Sequence, residues 1–250
     1  MELKPIPRLR MFTLGMAYLV RRNPWLPVWW SVCLPGFGHL AMGQHLKGLA
    51  FMALEILINH LGHLNLAIFY TLLGDIDAAR NVIDYRWALL YPLFYIFAMY
   101  DAYRVAIEIN VMTEFERVQS ERHFDLVTVT VFGQAILCRR NPILAAVWSA
   151  FAPGLGHFYT DRKIKGFILL GWYLGVTLNS HLVMAVFHVL RGEYEVSRQL
   201  IDYQWFLYWP SIYLFGIVDA YQDTVEQNQL FTEAFRYRMR KYLKNSNVEE

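Results

Sequence analysis

Charge is the scarcest commodity in this chain. Only 18% of its 250 residues are charged, where a soluble globular domain carries about 25%. The formal net charge of +2 excludes a nucleic-acid binder that works by charge alone. Cysteine is equally sparse. Cys33 and Cys138 sit in no CxxC and no ligand cluster, so neither a disulfide nor a metal site is expected. The apolar stretch at 11–20 is short, is followed by Arg21-Arg22 and has no small-residue cleavage site. It reads as a retained interfacial segment and not as a signal peptide. There is no nucleophile elbow, no phosphate-cradling glycine loop and no HExxH. No catalytic residue and no cofactor are therefore expected.

Apolar residues are what the chain has in excess. They make up 56%, with 8 Trp, 16 Tyr and 17 Phe, where about 45–50% is usual. Mean hydropathy is only +0.25, so polar residues must be segregated from long apolar stretches. That pattern implies an integral membrane protein with the lipid bilayer as its first partner.

The sequence is duplicated at an offset of 118 residues without a gap. Arg21-Arg22-Asn23-Pro24 maps onto Arg139-Arg140-Asn141-Pro142, and Pro35-Gly36-x-Gly38-His39 onto Pro153-Gly154-x-Gly156-His157. Lys47-Gly48 maps onto Lys165-Gly166, His63 onto His181, and Ile83-Asp84-Tyr85 onto Ile201-Asp202-Tyr203. Asp101-Ala102-Tyr103 maps onto Asp219-Ala220-Tyr221, and Asn110 onto Asn228. About a third of positions are identical, more than two unrelated apolar stretches share by chance. The expected organisation is membrane unit one at 1–110, a cytoplasmic linker at 111–123, membrane unit two at 124–228, and a basic tail at 229–250.

Each unit has three apolar stretches, at 24–42, 48–73 and 87–107 in the first and at 142–160, 166–190 and 205–225 in the second. Pro35-Gly36 breaks the first stretch after about 17 Å of helix, roughly half a bilayer. The other two are long enough to span. The expected fold is all-α and polytopic: two tandem units, each of two spanning helices plus a half-span re-entrant or interfacial hairpin. The alternative is six spans with inverted repeats. Basic residues favour four spans, because 19 of 23 then fall on one side, against 15 for six spans, and cytoplasmic loops carry the excess. Both termini are then cytoplasmic. The units are expected to pack about a pseudo-two-fold axis along the membrane normal. The segment 112–124 should continue the third helix into the cytoplasm. Residues 126–131 alternate like a strand but are few and stand alone. The tail at 231–244 mixes Phe and Tyr with Arg and Lys and reads as an amphipathic helix on anionic inner-leaflet lipids.

Several polar residues fall inside apolar stretches, where an ionisable group needs a partner and invites a functional role. Asp101 is expected to pair with His39 or Lys47, and Asp219 with His157 or Lys165, either as a lock between hairpin and helix or as a transport site. Glu55, Asn59 and His63 fall on one helix face at i, i+4, i+8, with His181 at the position of His63. They read as interhelical hydrogen bonding or as a proton relay. Gly171 and Gly175 form a small-xxx-small pair suited to helix packing.

The turn Gly154-Leu155-Gly156-His157-Phe158-Tyr159, with Lys165-Gly166 after it and Asp219 in the last stretch, resembles the small two-transmembrane ("TM-two"-like) domain and similar turns in bacterial membrane proteins. Unit one departs from it, with Leu40-Ala41 where unit two has Phe158-Tyr159. The resemblance implies a bacterial cytoplasmic membrane protein with an interaction or scaffold role and a possible membrane-protein partner, not a reaction. Two functions are thus carried forward: a non-catalytic scaffold, lipid-contact or docking protein, and a small solute or proton-coupled transporter.

Overall fold

The computed structural model describes residues 7–12, 15–119, 122, 124, 127–130 and 133–246. Helix dominates. The first half runs β1 (Leu9–Phe12), β2 (Gly15–Tyr18), α1 (Trp25–Cys33), α2 (Phe37–Ala41), α3 (His45–Gly62), α4 (Leu64–Leu72), α5 (Ile76–Val82), α6 (Tyr85–Ala88) and α7 (Tyr91–Val118). The second runs β3 (Val127–Thr130), β4 (Gly133–Ile136), α8 (Pro142–Phe151), α9 (Leu155–Tyr159), α10 (Lys163–Asn179), α11 (Leu182–Leu190), α12 (Tyr194–Leu200), α13 (Tyr203–Phe206) and α14 (Trp209–Ser246). Every element of the second half except α8 starts 118 residues after its counterpart.

The fold is all-α, as expected, with two short strand hairpins beside the helices. β1 pairs with β2 and β3 with β4, both antiparallel, with Leu9 opposite Tyr18 and Val127 opposite Ile136. The segment at 11–20, expected to lie at an interface, contributes to the first hairpin. The alternation at 126–131, which by itself is too short to read as a strand, contains β3, and its partner β4 starts six residues after β3 does. Leu9 and Leu137 cover Leu230 and Ala234 of α14. The tail is therefore no separate element: α14 is one helix through residue 246, and one face of its tail is already used.

The half-span hairpin is α1–α2 in the first half and α8–α9 in the second. Asn141 caps α8 by accepting from the Ile143 amide at 2.9 Å, with Pro142 in the first turn, as a cap and a pre-set φ require. Asn23 receives the Trp25 amide in the same way. Helix α1 has nine residues, about 13 Å long. The reversal occurs at Gly36, with φ of 103°, and Gly154, with φ of 104°, where a side chain would be strained.

The second apolar stretch is not one straight span. It breaks at His63 and at His181, both in the left-handed region, and the two arms bend by 64° and 59°. Among the described residues no single helix is long and apolar enough to cross a membrane, though these two bent pairs together have the length and composition. The third stretches fall short because of their charges. Asp101, Arg104 and Glu108 lie in the first 18 residues of α7, and Asp219, Asp223 and Glu226 in those of α14. The boundaries expected at 110 and 228 fall inside these two helices.

The two halves share one core. Trp30, Leu34, Phe37, Leu40 and Met52 of the first pack with Leu169, Val176, Tyr208, Ile212 and Phe215 of the second. A two-fold axis would bury the reciprocal residues equally, and it does not. Trp30 is 7% exposed and its counterpart Trp148 45%; Phe215 is 0% exposed and its counterpart Phe97 55%. The expected pseudo-two-fold packing is thus replaced by a one-way contact of unlike faces.

Candidate functional site

Each hairpin delivers a histidine to the long helix of its own half. The α1–α2 turn is tight because Gly38 lies against the Pro27 carbonyl and Ser31, where a Cβ would overlap both; Gly156 lies likewise against Ala145 and Ser149. His39 Nε2 then meets Asp101 Oδ2 at 2.8 Å, and His157 Nε2 meets Asp219 Oδ2 at 2.9 Å. Each imidazole uses only Nε2, since both buried Nδ1 atoms lack a protein partner. Lys47, in the first turn of α3, forms an ion pair with Asp101. Lys165 donates to Asp219 at 2.6 Å. Sequence spacing left His or Lys as alternatives; the structure uses both.

The surroundings differ. In the first half Arg104 donates to Asp101 Oδ1 at 2.8 Å and also pairs with Glu108. In the second half a further acid appears: Lys165 donates to Asp223 at 2.9 Å, and Arg162 reaches the same carboxylate at 2.8 Å. The Lys165 side chain is 0% exposed and that of Lys47 36%. Two carboxylates therefore face two fixed cations in the second cluster, the condition under which buried charge is tolerated. Donor atoms of His157, Asp219 and Asp223 lie within 4.8 Å of one another. The Lys165 ammonium bonds both acids, taking the place a cation would occupy.

The remaining expected site residues are scattered. Glu55 is buried and accepts from Tyr91 at 2.9 Å and Asn59 at 3.1 Å, while its Oε2 has no protein partner. His63 is exposed at the break in α3–α4, so the structure does not assemble a Glu55–His63 relay. His181 is exposed at the matching break. Gly171 and Gly175 face open space, where a Cβ would meet nothing within 4 Å. The close approaches are instead at Gly36, Gly38, Gly48 and their counterparts, and at Gly216 against Pro153.

Sequence reasoning missed three features. Asp223 and Arg162 have no counterpart in the first half, so the repeat could not flag them, although Asp219 and Asp223 share an i, i+4 face. Asn110 was visible only as a recurring residue. Its amide accepts from the Arg22 N–H at 2.9 Å and donates to the Arg22 carbonyl at 2.8 Å. Asn228 clamps Arg140 likewise, at 2.8 and 2.7 Å. The third is a clasp between halves. Gln204 donates to Asn59 Oδ1 at 2.8 Å and accepts from the Leu66 amide at 2.8 Å, and Asn65 donates to the Gln204 carbonyl at 3.0 Å.

A last ionic group ties the hairpins to the helix ends. Arg8 and Arg122 pair with Glu116 and Glu233. Burial pushes the Glu116 carboxyl up, and Arg122 and Arg8 pull it back.

No protein-family model, no curated protein and no solved structure matches this chain. What it does must be argued from its own residues.

Proposed function

We propose that this chain is a multipass protein of the bacterial cytoplasmic membrane that acts as a non-catalytic scaffold, contacting lipid and docking a membrane partner. One observation carries the reading: polarity is distributed inside out. Glu55, Asn59, Asp101, Lys165, Asp219 and Asp223 are buried, while Leu57, Ile68, Leu72, Leu93, Ile96, Leu178 and Leu190 are exposed. Water rewards the opposite arrangement; a lipid solvent rewards this one, since polar groups must then be satisfied internally. The tandem resemblance to the two-transmembrane domain rests on the hairpin motif and supports the same reading.

In this reading the bent pairs α3–α4 and α10–α11, with α7 and α14 beside them, cross the bilayer. The hairpins enter from the cytoplasmic side, and the α5–α6 and α12–α13 segments cap the outer face. The His–Asp–Lys clusters are locks holding each hairpin to its helix. The Lys47, Arg104, Lys165 and Arg162 cations are each held by a carboxylate, which supports a lock. Basic residues of the tail then face anionic inner-leaflet lipids.

Single cysteines at Ile76 and Leu46, both exposed, test the topology in a Cys33- and Cys138-free background with an impermeant thiol reagent. The reading expects position 46 to label only from the cytoplasm and position 76 only from outside. Cytoplasmic labelling of position 76 sinks it.

The transporter reading keeps one specific support, the buried Glu55 Oε2 without a protein partner. Asp101→Asn, Asp219→Asn and Glu55→Gln separate the two. A folded variant that abolishes a solute or proton flux in liposomes favours transport. Variants that fail to assemble, in a wild-type protein without flux, favour the scaffold.

A further inference from the structure

The contact between the two halves is one-way. Phe69 of α4 stacks on Tyr203 of α13 with ring centroids 3.8 Å apart. Phe37 of α2 stacks on Phe215 of α14 at 4.2 Å, and Trp30 of α1 meets the same ring edge-on at 5.0 Å. His60 lies 5.7 Å from Trp205. The first half thus offers its hairpin and α3–α4 face, and the second half offers its α13–α14 face with the Leu169 and Val176 side of α10, leaving the Leu178 side of α10 open.

Moving each residue by 118 gives the faces left over. The second half still carries a hairpin and α10–α11 face, with Trp148, Leu178 and Phe187 exposed. The first half still carries an α6–α7 face, with Tyr85 and Phe97 exposed. These are the counterparts of surfaces that already fit each other inside one chain. Lipid covers any apolar surface without preference. The specific fact is that the two open faces are the two sides of a joint the chain has already made once.

We propose that this protein associates head to tail with further copies of itself. The Trp148–Phe187 face of one copy takes the Tyr85–Phe97 face of the next, repeating the intrachain joint. A contact between unlike faces does not complete itself in a pair, as a two-fold contact does; it continues until a ring closes or a row extends. The joint between copies is weaker than the one within the chain. Gln204 and Asn65, which clasp the halves, have Arg86 and Val183 as counterparts, so the clasp cannot be repeated.

Two full-length chains test this in a Cys33→Ser, Cys138→Ser background, one carrying Arg86→Cys and the other Val183→Cys, whose counterparts Gln204 and Asn65 touch in the intrachain joint. Both positions are exposed and neither carries the aromatic contact, so both chains should fold with the joint intact. A short bismaleimide is applied to membranes from cells making either chain or both. The expected result is a crosslinked dimer only when both are present, and a ladder of higher species when one chain carries both cysteines. Adding Phe97→Ser to the Arg86→Cys chain should cut the dimer yield at least tenfold. Dilution in detergent should release folded single chains, read by native mass spectrometry. Self-crosslinking of either single-cysteine chain overturns the proposal in favour of a two-fold dimer. Absence of any crosslink, or a yield that ignores Phe97→Ser, overturns it outright. The topology labelling is read separately, so a failure of the membrane reading does not mimic a failure of this one.

Discussion

The two His–Asp pairs have nearly the same length and different dependence on their neighbours. In the first half, Asp101 is held by His39, Lys47 and Arg104, and the two long cations reach solvent. In the second, Asp219 shares a buried ammonium with Asp223, and Arg162 balances the extra acid. The first cluster gives Asp101 two cations, both partly exposed. The second is neutral only as a complete set. Duplicated residues thus fix the bond, and unduplicated ones decide how much depends on it.

Lys165→Met should break the comparison most severely. It leaves two buried carboxylates with only Arg162 on Asp223 and His157 on Asp219, a loss of about 3 kcal/mol by the usual cost of splitting a buried ion pair. Lys47→Met leaves Asp101 with Arg104 and His39 and should cost about 1 kcal/mol or less. The apparent Tm of each variant in detergent measures the difference; equal losses would show that the clusters work alike.

The hairpin glycines should show the opposite pattern, equal effects in both halves. Gly38→Ala and Gly156→Ala each force a Cβ into a backbone carbonyl, and each should cost about 3 kcal/mol. Gly171→Ala, in open space, should leave the melting curve unmoved. Limited proteolysis within the hairpin gives a second readout, and a tolerated Gly156→Ala would remove close packing as the reason for the motif.

The smallest effect sharpens the comparison further. Asn110→Ala and Asn228→Ala each remove a two-bond clamp of the same geometry, worth about 1 kcal/mol apiece. The two should destabilise alike. If Asn228→Ala proves much the worse, the second half depends on its neighbourhood even where the bonds are the same.

Much of the candidate site was legible because duplication made single residues conspicuous. An isolated Asp in an apolar stretch is ambiguous; Asp101 and Asp219, each with a matching His and Lys, are not. The Pro-Gly break marked both hairpins for the same reason. What was hidden has physical causes. The bends at His63 and His181 lie within stretches long enough to read as one span, and hydropathy is blind to a left-handed residue. Asp223 occurs once, so repetition could not mark it. The four-residue strands carry too little pattern to stand out until their partners are known. The one-way packing was least legible, because a duplicated sequence says that two halves are alike and nothing about which faces meet.

The spacing within the locks has a consequence for how the chain is made. His39 lies 62 residues before Asp101, and His157 the same distance before Asp219. Synthesis proceeds from the N-terminus and segments fold as they emerge, so the first hairpin can be fastened before the second begins. Its aromatic face has no such early partner, since Phe37 waits for Phe215. For most of translation, then, the nascent chain holds a finished clasp beneath an unfinished seam, and the surface it must shield longest is the one that later joins its two halves.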